Sequence, residues 1–139
     1  MARKQSSPAD ALERVPLLSG LSSRARAQLA RSMKERTFPA GRRVITEGSG
    51  GVGFFIITDG NAAVSIGGEA VRVLGPGDYF GEMALLDGEA RTASVTADTE
   101  LTCLTMTAWA FKSFVADNPQ VGWVMLQTLV ERLREASVR

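Results

Sequence analysis

The sequence predicts an α+β, mainly-β domain: a closed or sandwiched β unit set between N-terminal helices and two C-terminal helices. Three observations carry that prediction. Twelve of the fourteen glycines fall between Gly41 and Gly88, which concentrates turn chemistry in the middle of the chain. From Thr37 to Thr107 the apolar residues come in short, strand-length runs separated by turns. On both flanks the apolar spacing becomes helical. At 139 residues the chain is large enough for a real core and too small for two domains.

Residues 1–7 are polar and are expected to be disordered, with a single domain over 8–139. Pro8 suits a first helical position, Ala9 to Arg14 continue a short helix, and Pro16 stops it. Ser22 is placed to cap a second helix running to about Lys34, with Leu21, Ala25, Leu29 and Met33 on one face. Arg24, Arg26, Arg31, Lys34 and Arg36 decorate it and read as a solvated face in preference to a basic patch. The β unit, about 37–107, contains candidate strands Arg43–Thr46, Gly53–Thr58, Ala62–Ile66, Ala70–Leu74, Thr92–Ala97 and Leu101–Met106. Asp59-Gly60 and Gly67-Gly68 read as hairpin turns between adjacent strands. Thr107 is placed to cap a helix over Ala108–Ala116, and Asp117-Asn118-Pro119 breaks it and starts the last helix, to about Ala136. That last helix carries Val121, Val124, Met125, Leu126, Leu129, Val130 and Leu133, an apolar arc wider than one partner surface needs. A second surface is therefore expected on it, for a dimer mate, a neighbouring domain or a bound ligand.

Composition removes several chemistries. The chain has no histidine and one cysteine, Cys103, so Ser-His-Asp and Cys-His nucleophile systems lack a base, and the usual zinc and iron sites lack their main ligands. A metal-dependent enzyme on a small β-barrel is disfavoured on the same ground. Cys103 lies in an alternating apolar run and reads as a core thiol. Sixteen basic against fifteen acidic side chains, a net charge of +1, do not suggest a nucleic-acid surface. No run approaches 18 apolar residues and no signal-type segment follows Met1, so a cytoplasmic protein with no membrane partner is expected. The glycine cluster 48–53 lacks the Gly-Lys-Ser/Thr ending of a P-loop and is not followed by a convincing helix.

The stretch from Phe80 to Val95 is the most informative. Gly81 and Glu82 begin a short helix-like run, and Arg91 and Thr92 follow nine and ten residues after the carboxylate. Backbone amides at a helix start favour an anion, and a guanidinium can fork onto phosphate oxygens. A carboxylate beside them can accept a hydrogen bond from a ribose hydroxyl. Together these groups suit a sugar joined to a phosphate. The plainer alternative is an amphipathic turn with ordinary surface charges.

Phe80-Gly81-Glu82, the apolar run Met83 to Leu86, and Arg91-Thr92-Ala93-Ser94-Val95 resemble, in order and spacing, the phosphate-binding cassette of the cyclic nucleotide-binding domain family. The resemblance extends from about Leu12 to Leu133 through Val15-Pro16-Leu17-Leu18, Phe38-Pro39-Ala40-Gly41, Glu47-Gly48 and Gly75-Pro76-Gly77-Asp78-Tyr79. It implies an eight-stranded β-roll (a double-stranded β-helix jelly roll), with the cassette at about 80–92 and the last helix serving as a lid. It also implies roles. Arg91 contacts the cyclic phosphate, Glu82 the ribose 2′-hydroxyl, and Gly81 lets the backbone approach the sugar. Met83 and Ala84 offer backbone N–H groups. Thr92 offers a hydroxyl beside the phosphate that in relatives can also reach a guanine amino group.

For the base, Val64 and Ile66 on one strand face and Leu74 on the next strand are candidates, at least one of them being ordinary core. In Glu131-Arg132-Leu133, Arg132 resembles an arginine that folds over the purine in some members, against the alternative of a solvated charge. Ala90 replaces a frequent proline, Ser49 a frequent aspartate, and Phe54-Phe55 a common tyrosine-containing pair; these bear on turn stability more than on binding. The expected function is a non-enzymatic sensor for cAMP, with cGMP open and no cofactor. A homodimer or an effector would use the last helix. Two alternatives are an interaction module of the same fold without ligand, and the sensor half of a transcription regulator. Because no helix pair follows the last helix before Arg139, direct DNA binding is not expected, and a free-standing chain and a piece of a longer one are equally open.

Overall fold

Eight strands pair into two four-stranded antiparallel sheets in a computed structural model that describes residues 8–18, 20–46, 53–81 and 93–137. The expected disorder of residues 1–7 lies outside the described residues. Helix α1 (Pro8–Glu13), a 3-10 turn (Pro16–Leu18) and α2 (Ser23–Arg31) come first. Strands β1 (Lys34–Phe38), β2 (Arg43–Ile45), β3 (Phe54–Asp59), β4 (Ala62–Ile66), β5 (Glu69–Leu74), β6 (Tyr79–Phe80), β7 (Ser94–Ala97) and β8 (Leu101–Met106) follow. Helices α3 (Ala108–Asp117) and α4 (Pro119–Ser137) end the chain. One sheet has the order β1-β8-β3-β6 and the other β2-β7-β4-β5, so chain neighbours are mostly not sheet neighbours. This is the β-roll.

The caps form as the sequence predicts. Ser22 accepts from the Ala25 N–H at 3.1 Å and Thr107 from the Ala110 N–H at 3.1 Å, each satisfying a donor that the first helical turn leaves open. Helix α2, however, stops at Arg31 and not near Lys34. Ser32 closes it by donating its N–H to the Leu29 carbonyl, and from Lys34 the chain pairs with β8. Strand β1 escapes a pattern search because Lys34, Glu35, Arg36 and Thr37 are all exposed and only Phe38 is buried. An edge strand armed with charge resists pairing with other chains, and the same charge hides its period. The two-residue β6 is too short to show a period at all. It is held by Phe80 stacked on its register partner Phe55, with ring centroids 4.8 Å apart and planes 3° from parallel.

The Gly67-Gly68 turn is a hairpin, with φ of +60° and +83° joining β4 to β5, the backbone that a two-residue primed turn needs. Asp59-Gly60 is not. Strand β3 lies in one sheet and β4 in the other, so this dipeptide is a crossover between sheets. It packs against the bend from β7 to β8: Asn61 donates its N–H to Thr99 Oγ1 at 3.0 Å and accepts from the Asp98 N–H at 2.9 Å. Gly60 has φ +86°, and a Cβ there would overlap the carbonyl oxygen of Glu100.

Strand β3 is buried on both faces. Phe54 and Ile56 join Leu12, Leu29, Phe111 and Met125 in a core between sheet and helices, while Phe55 and Ile57 join Phe38, Leu74, Val95 and Cys103 between the sheets. If the crossover is clamped as described, Gly60→Ala and Gly68→Ala will differ in urea unfolding. Gly68, at positive φ in open space, should cost about 1 kcal/mol. Gly60→Ala must also displace the Glu100 backbone and should cost at least about 2 kcal/mol. Equal losses would mean that the two turns are equally free.

Candidate functional site

The chain enters the predicted cassette at Gly81 and leaves it at Ala93, and the fold fixes both ends. On the entry side, β6 is paired with β3 and delivers Gly81, half-buried, with φ +94°. A side chain with a Cβ rarely adopts that angle, so the backbone conformation itself requires a glycine there. On the exit side, β7 lies inside the other sheet, with Ser94 opposite Ser65 and Val95 opposite Val64. The segment therefore spans from one sheet to the other and ends beside β4. Glu82, Met83, Ala84, Arg91 and Thr92 lie outside the described residues. Arg132 falls within α4, and its side chain is likewise outside them.

The candidate base wall is described. Val64 is half-buried and packs on the inter-sheet core; Ile66, two residues along the same face, is 50% exposed. Leu74 is 4% exposed and sits in the inter-sheet core opposite Ala62. It does the packing duty expected of at least one of the three. The hairpin also carries a residue that sequence reasoning passed over. Arg72, opposite Val64, places its guanidinium 2.9 Å from Glu135 Oε1 in the last turn of α4. The two side chains are 41% and 68% exposed, so water screens the pair and its worth is about 0–1 kcal/mol. No local signal could have found it, because 63 residues separate the partners. Its consequence is positional: it ties the end of α4 to the β4–β5 hairpin.

Elsewhere the chemistry is sparse. Among the described residues no group of three histidine, cysteine or carboxylate side chains is gathered for a metal, and no helix is long and apolar enough to cross a membrane. Cys103 is fully buried, and burial pushes its thiol from 9.0 up to about 12, with Arg36 pulling slightly back. A thiol held that high is not a nucleophile near neutrality.

A sequence profile described as the cyclic nucleotide-binding domain matches residues 35–118, more than half of the chain. The chain belongs to the cyclic nucleotide-binding domain family. Relatives of this family include a CRP-like cAMP-activated global transcriptional regulator of Mycobacterium tuberculosis, 33% identical over 91% of this chain and 58% of its own. A cAMP-dependent protein kinase regulatory subunit of Emericella nidulans is 46% identical over 65% of this chain and 22% of its own. The chain thus spans well under two thirds of either relative. Among solved structures, the regulatory subunit of a cAMP-independent protein kinase A from Trypanosoma brucei superposes with a TM-score of 0.78 at 27% identity, covering 86% of this chain and 44% of its own. A variant of it with three replacements, one of them threonine to arginine, was solved with cAMP in its A site at the same TM-score of 0.78. The cyclic nucleotide-binding fold is therefore common to regulators of both kinds.

The burial of Cys103 has a measurable consequence. Thiol reagents at pH 8 should leave the folded protein untouched and label it fully once urea unfolds it. A raised folded value also means that the thiol's contribution to stability is whole below 9.0 and is lost as pH rises toward about 12, because the unfolded chain ionises first. Rapid labelling of the native protein would contradict the burial.

Proposed function

We propose that this chain is a non-enzymatic receptor domain for a cyclic nucleotide, cAMP in the first place with cGMP as the open alternative. The observation that carries the reading is Gly81: a positive-φ glycine, delivered by the β6–β3 pairing to the head of a segment whose residues match the family's cassette. In this reading Arg91 and the N–H groups of Met83 and Ala84 neutralise the cyclic phosphate, Glu82 grips the ribose 2′-hydroxyl, and Thr92 lies beside the phosphate. Val64, backed by Leu74, bears the base, and Arg132 reaches it from α4. No step breaks or forms a covalent bond, and no cofactor is required. A second surface of α4 serves a partner, either another copy of the chain or an effector.

A charge-assisted contact from Arg91 is worth about 1.5–3 kcal/mol. Calorimetric titration should show cAMP binding to the wild type and a loss of roughly ten- to 150-fold in affinity for Arg91→Ala. The 2′-deoxy analogue should bind more weakly to wild type, and Glu82→Gln should shrink that difference. Absence of heat with either cyclic nucleotide, and of competition between them, would sink the receptor reading.

One observation favours a second reading. A neighbour of the same fold is named as cAMP-independent, so the β-roll alone does not guarantee a ligand. That neighbour's capture with cAMP accompanied replacements at three positions, whereas Gly81, Glu82 and Arg91, the residues that match the family's cassette, are all present in this chain's sequence. The receptor reading is therefore preferred to a ligand-free interaction module.

The lid is a separate prediction. If nucleotide draws α4 toward the hairpin, amide-exchange protection over residues 119–136 will rise on saturation, because a switch needs differential affinity for two states. Equal protection with and without nucleotide would leave a receptor without a moving lid.

A further inference from the structure

Strand β1 carries two cations whose surroundings edge protection does not explain. Lys34 and Arg36 belong to this strand and not to α2, and they share one of its faces while Glu35 takes the other. Charge that only guards an edge needs no particular face. Here both cations line a cleft of about 210 Å³, together with Phe55, Thr105, Met106 and Thr107. Neither has an ion-pair partner among the described residues. Arg36 is held in place by the ring of Phe38, its guanidinium carbon 4.9 Å from the centroid. Thr105 Oγ1 donates to the Lys34 carbonyl at 3.2 Å, which fixes β1 to β8 at the cleft. Thr107 Oγ1 accepts from the Ala110 N–H at 3.1 Å, and a hydroxyl that accepts there still has its own proton to donate.

We infer that this cleft is an anion site for a small phosphomonoester, with the organic part of the ligand lying against Phe55 and Met106. Three features select that class. Lys34 and Arg36 stand two residues apart, about 7 Å along the strand, so their long side chains can converge on one group. Two cations match a dianion, and a phosphate offers a separate oxygen to Lys34, Arg36 and the Thr107 hydroxyl, which a carboxylate with two oxygens cannot do. Among the described residues no carboxylate lines the cleft to compete for them. The volume is below the roughly 300–1,000 Å³ of pockets for drug-sized ligands, so a compact ligand fits and a bulky one does not.

The cleft is not the cassette. Across the sheet β1-β8-β3-β6 the register sets Lys34 beside Thr105, Thr105 beside Phe55 and Phe55 beside Phe80. Phe80 precedes Gly81, where the cassette begins. Three strand spacings, about 14 Å, therefore separate the two ends of this row, and the stacked rings of Phe55 and Phe80 stand between them. The cations of β1 lie at the opposite edge of the sheet from the cassette. This inference stands apart from nucleotide binding.

Calorimetric titration of the intact chain at low salt, with inorganic phosphate, phenyl phosphate and acetate as probes, tests it. Both phosphates should bind, phenyl phosphate at least about threefold the tighter because its ring gains apolar contact. Acetate, a monoanion, should bind at least roughly tenfold more weakly. Lys34→Gln and Arg36→Gln, at exposed positions, should keep the wild-type circular dichroism and each weaken phenyl phosphate by roughly three- to tenfold. Arg24→Gln, an exposed cation on α2, should change nothing. Affinity for phenyl phosphate should also rise between about pH 5 and pH 7, as the second proton leaves near pH 6. Neither saturating cAMP nor Arg91→Ala should alter it. Absence of heat from both phosphates up to about 20 mM overturns the inference and leaves the two cations as edge protection. Equal affinity for acetate overturns it by reducing the cleft to general charge screening. Loss of binding in Arg91→Ala, with the Lys34 and Arg36 variants unaffected, overturns it by assigning the anion to the cassette.

Discussion

Everything in this structure leans on β3 being buried from both sides. Phe54 and Ile56 close the helical core, and Phe55 and Ile57 close the space between the sheets. A strand with only one apolar face would leave either the helices or the second sheet without a partner. The two-sided strand makes one body of three layers, and it positions β6 as well. Phe80 stacks on Phe55 toward the inter-sheet core, while Tyr79 lies against Phe54, centroids 5.5 Å apart, in the helical core. Gly81 follows directly, so the start of the cassette inherits its position from two aromatic contacts that face opposite ways.

The same strand shows what the sequence could and could not declare. Phe54-Phe55-Ile56-Ile57 is an unbroken apolar run inside the predicted strand Gly53–Thr58, though its burial on both faces is seen only in the fold, and the caps at Ser22 and Thr107 follow from hydroxyls placed before apolar periods. Strand β1 was illegible because its exposed charges answer to the need to protect an edge and not to a core. Gly60 misled for a different reason. A positive-φ glycine is needed equally by a hairpin and by a crossover, and only the pairing partners of the flanking strands separate them. The site divides in the same manner. Gly81, Glu82 and Arg91 could be proposed from the sequence because the family's cassette pattern is confined to one short stretch of chain. Arg72 could not, since its significance comes from Glu135, which chain topology alone brings near.

Contiguity between the site and α4 is short and almost entirely aromatic. From Gly81 the route runs through Tyr79 to Phe54 and then to Phe111 of α3, 4.5 Å from Phe54, and Val121 and Met125 of α4 share that core. A packed route of this kind transmits displacement efficiently because cores resist compression. It does not by itself make a switch. Coupling needs an element with two positions that a ligand weights differently, and spatial nearness is no substitute for that difference.

The energetics of α4 identify where such an element could lie. Its first half is anchored by Val121 and Met125, each nearly without solvent exposure, and moving it would open the helical core at a cost of several kcal/mol. From Val130 onward every described side chain is exposed, and among them the Arg72–Glu135 pair is a screened contact worth about 1 kcal/mol at most. The two halves thus differ several-fold in what holds them to the domain. Under the receptor reading proposed above, a ligand near the β4–β5 hairpin would act on the second half more readily than on the first. Trp123 and Leu126 lie on the anchored half, while Val130 and Leu133 lie on the loosely held one. The boundary between the two halves therefore falls within one exposed apolar stripe of the helix.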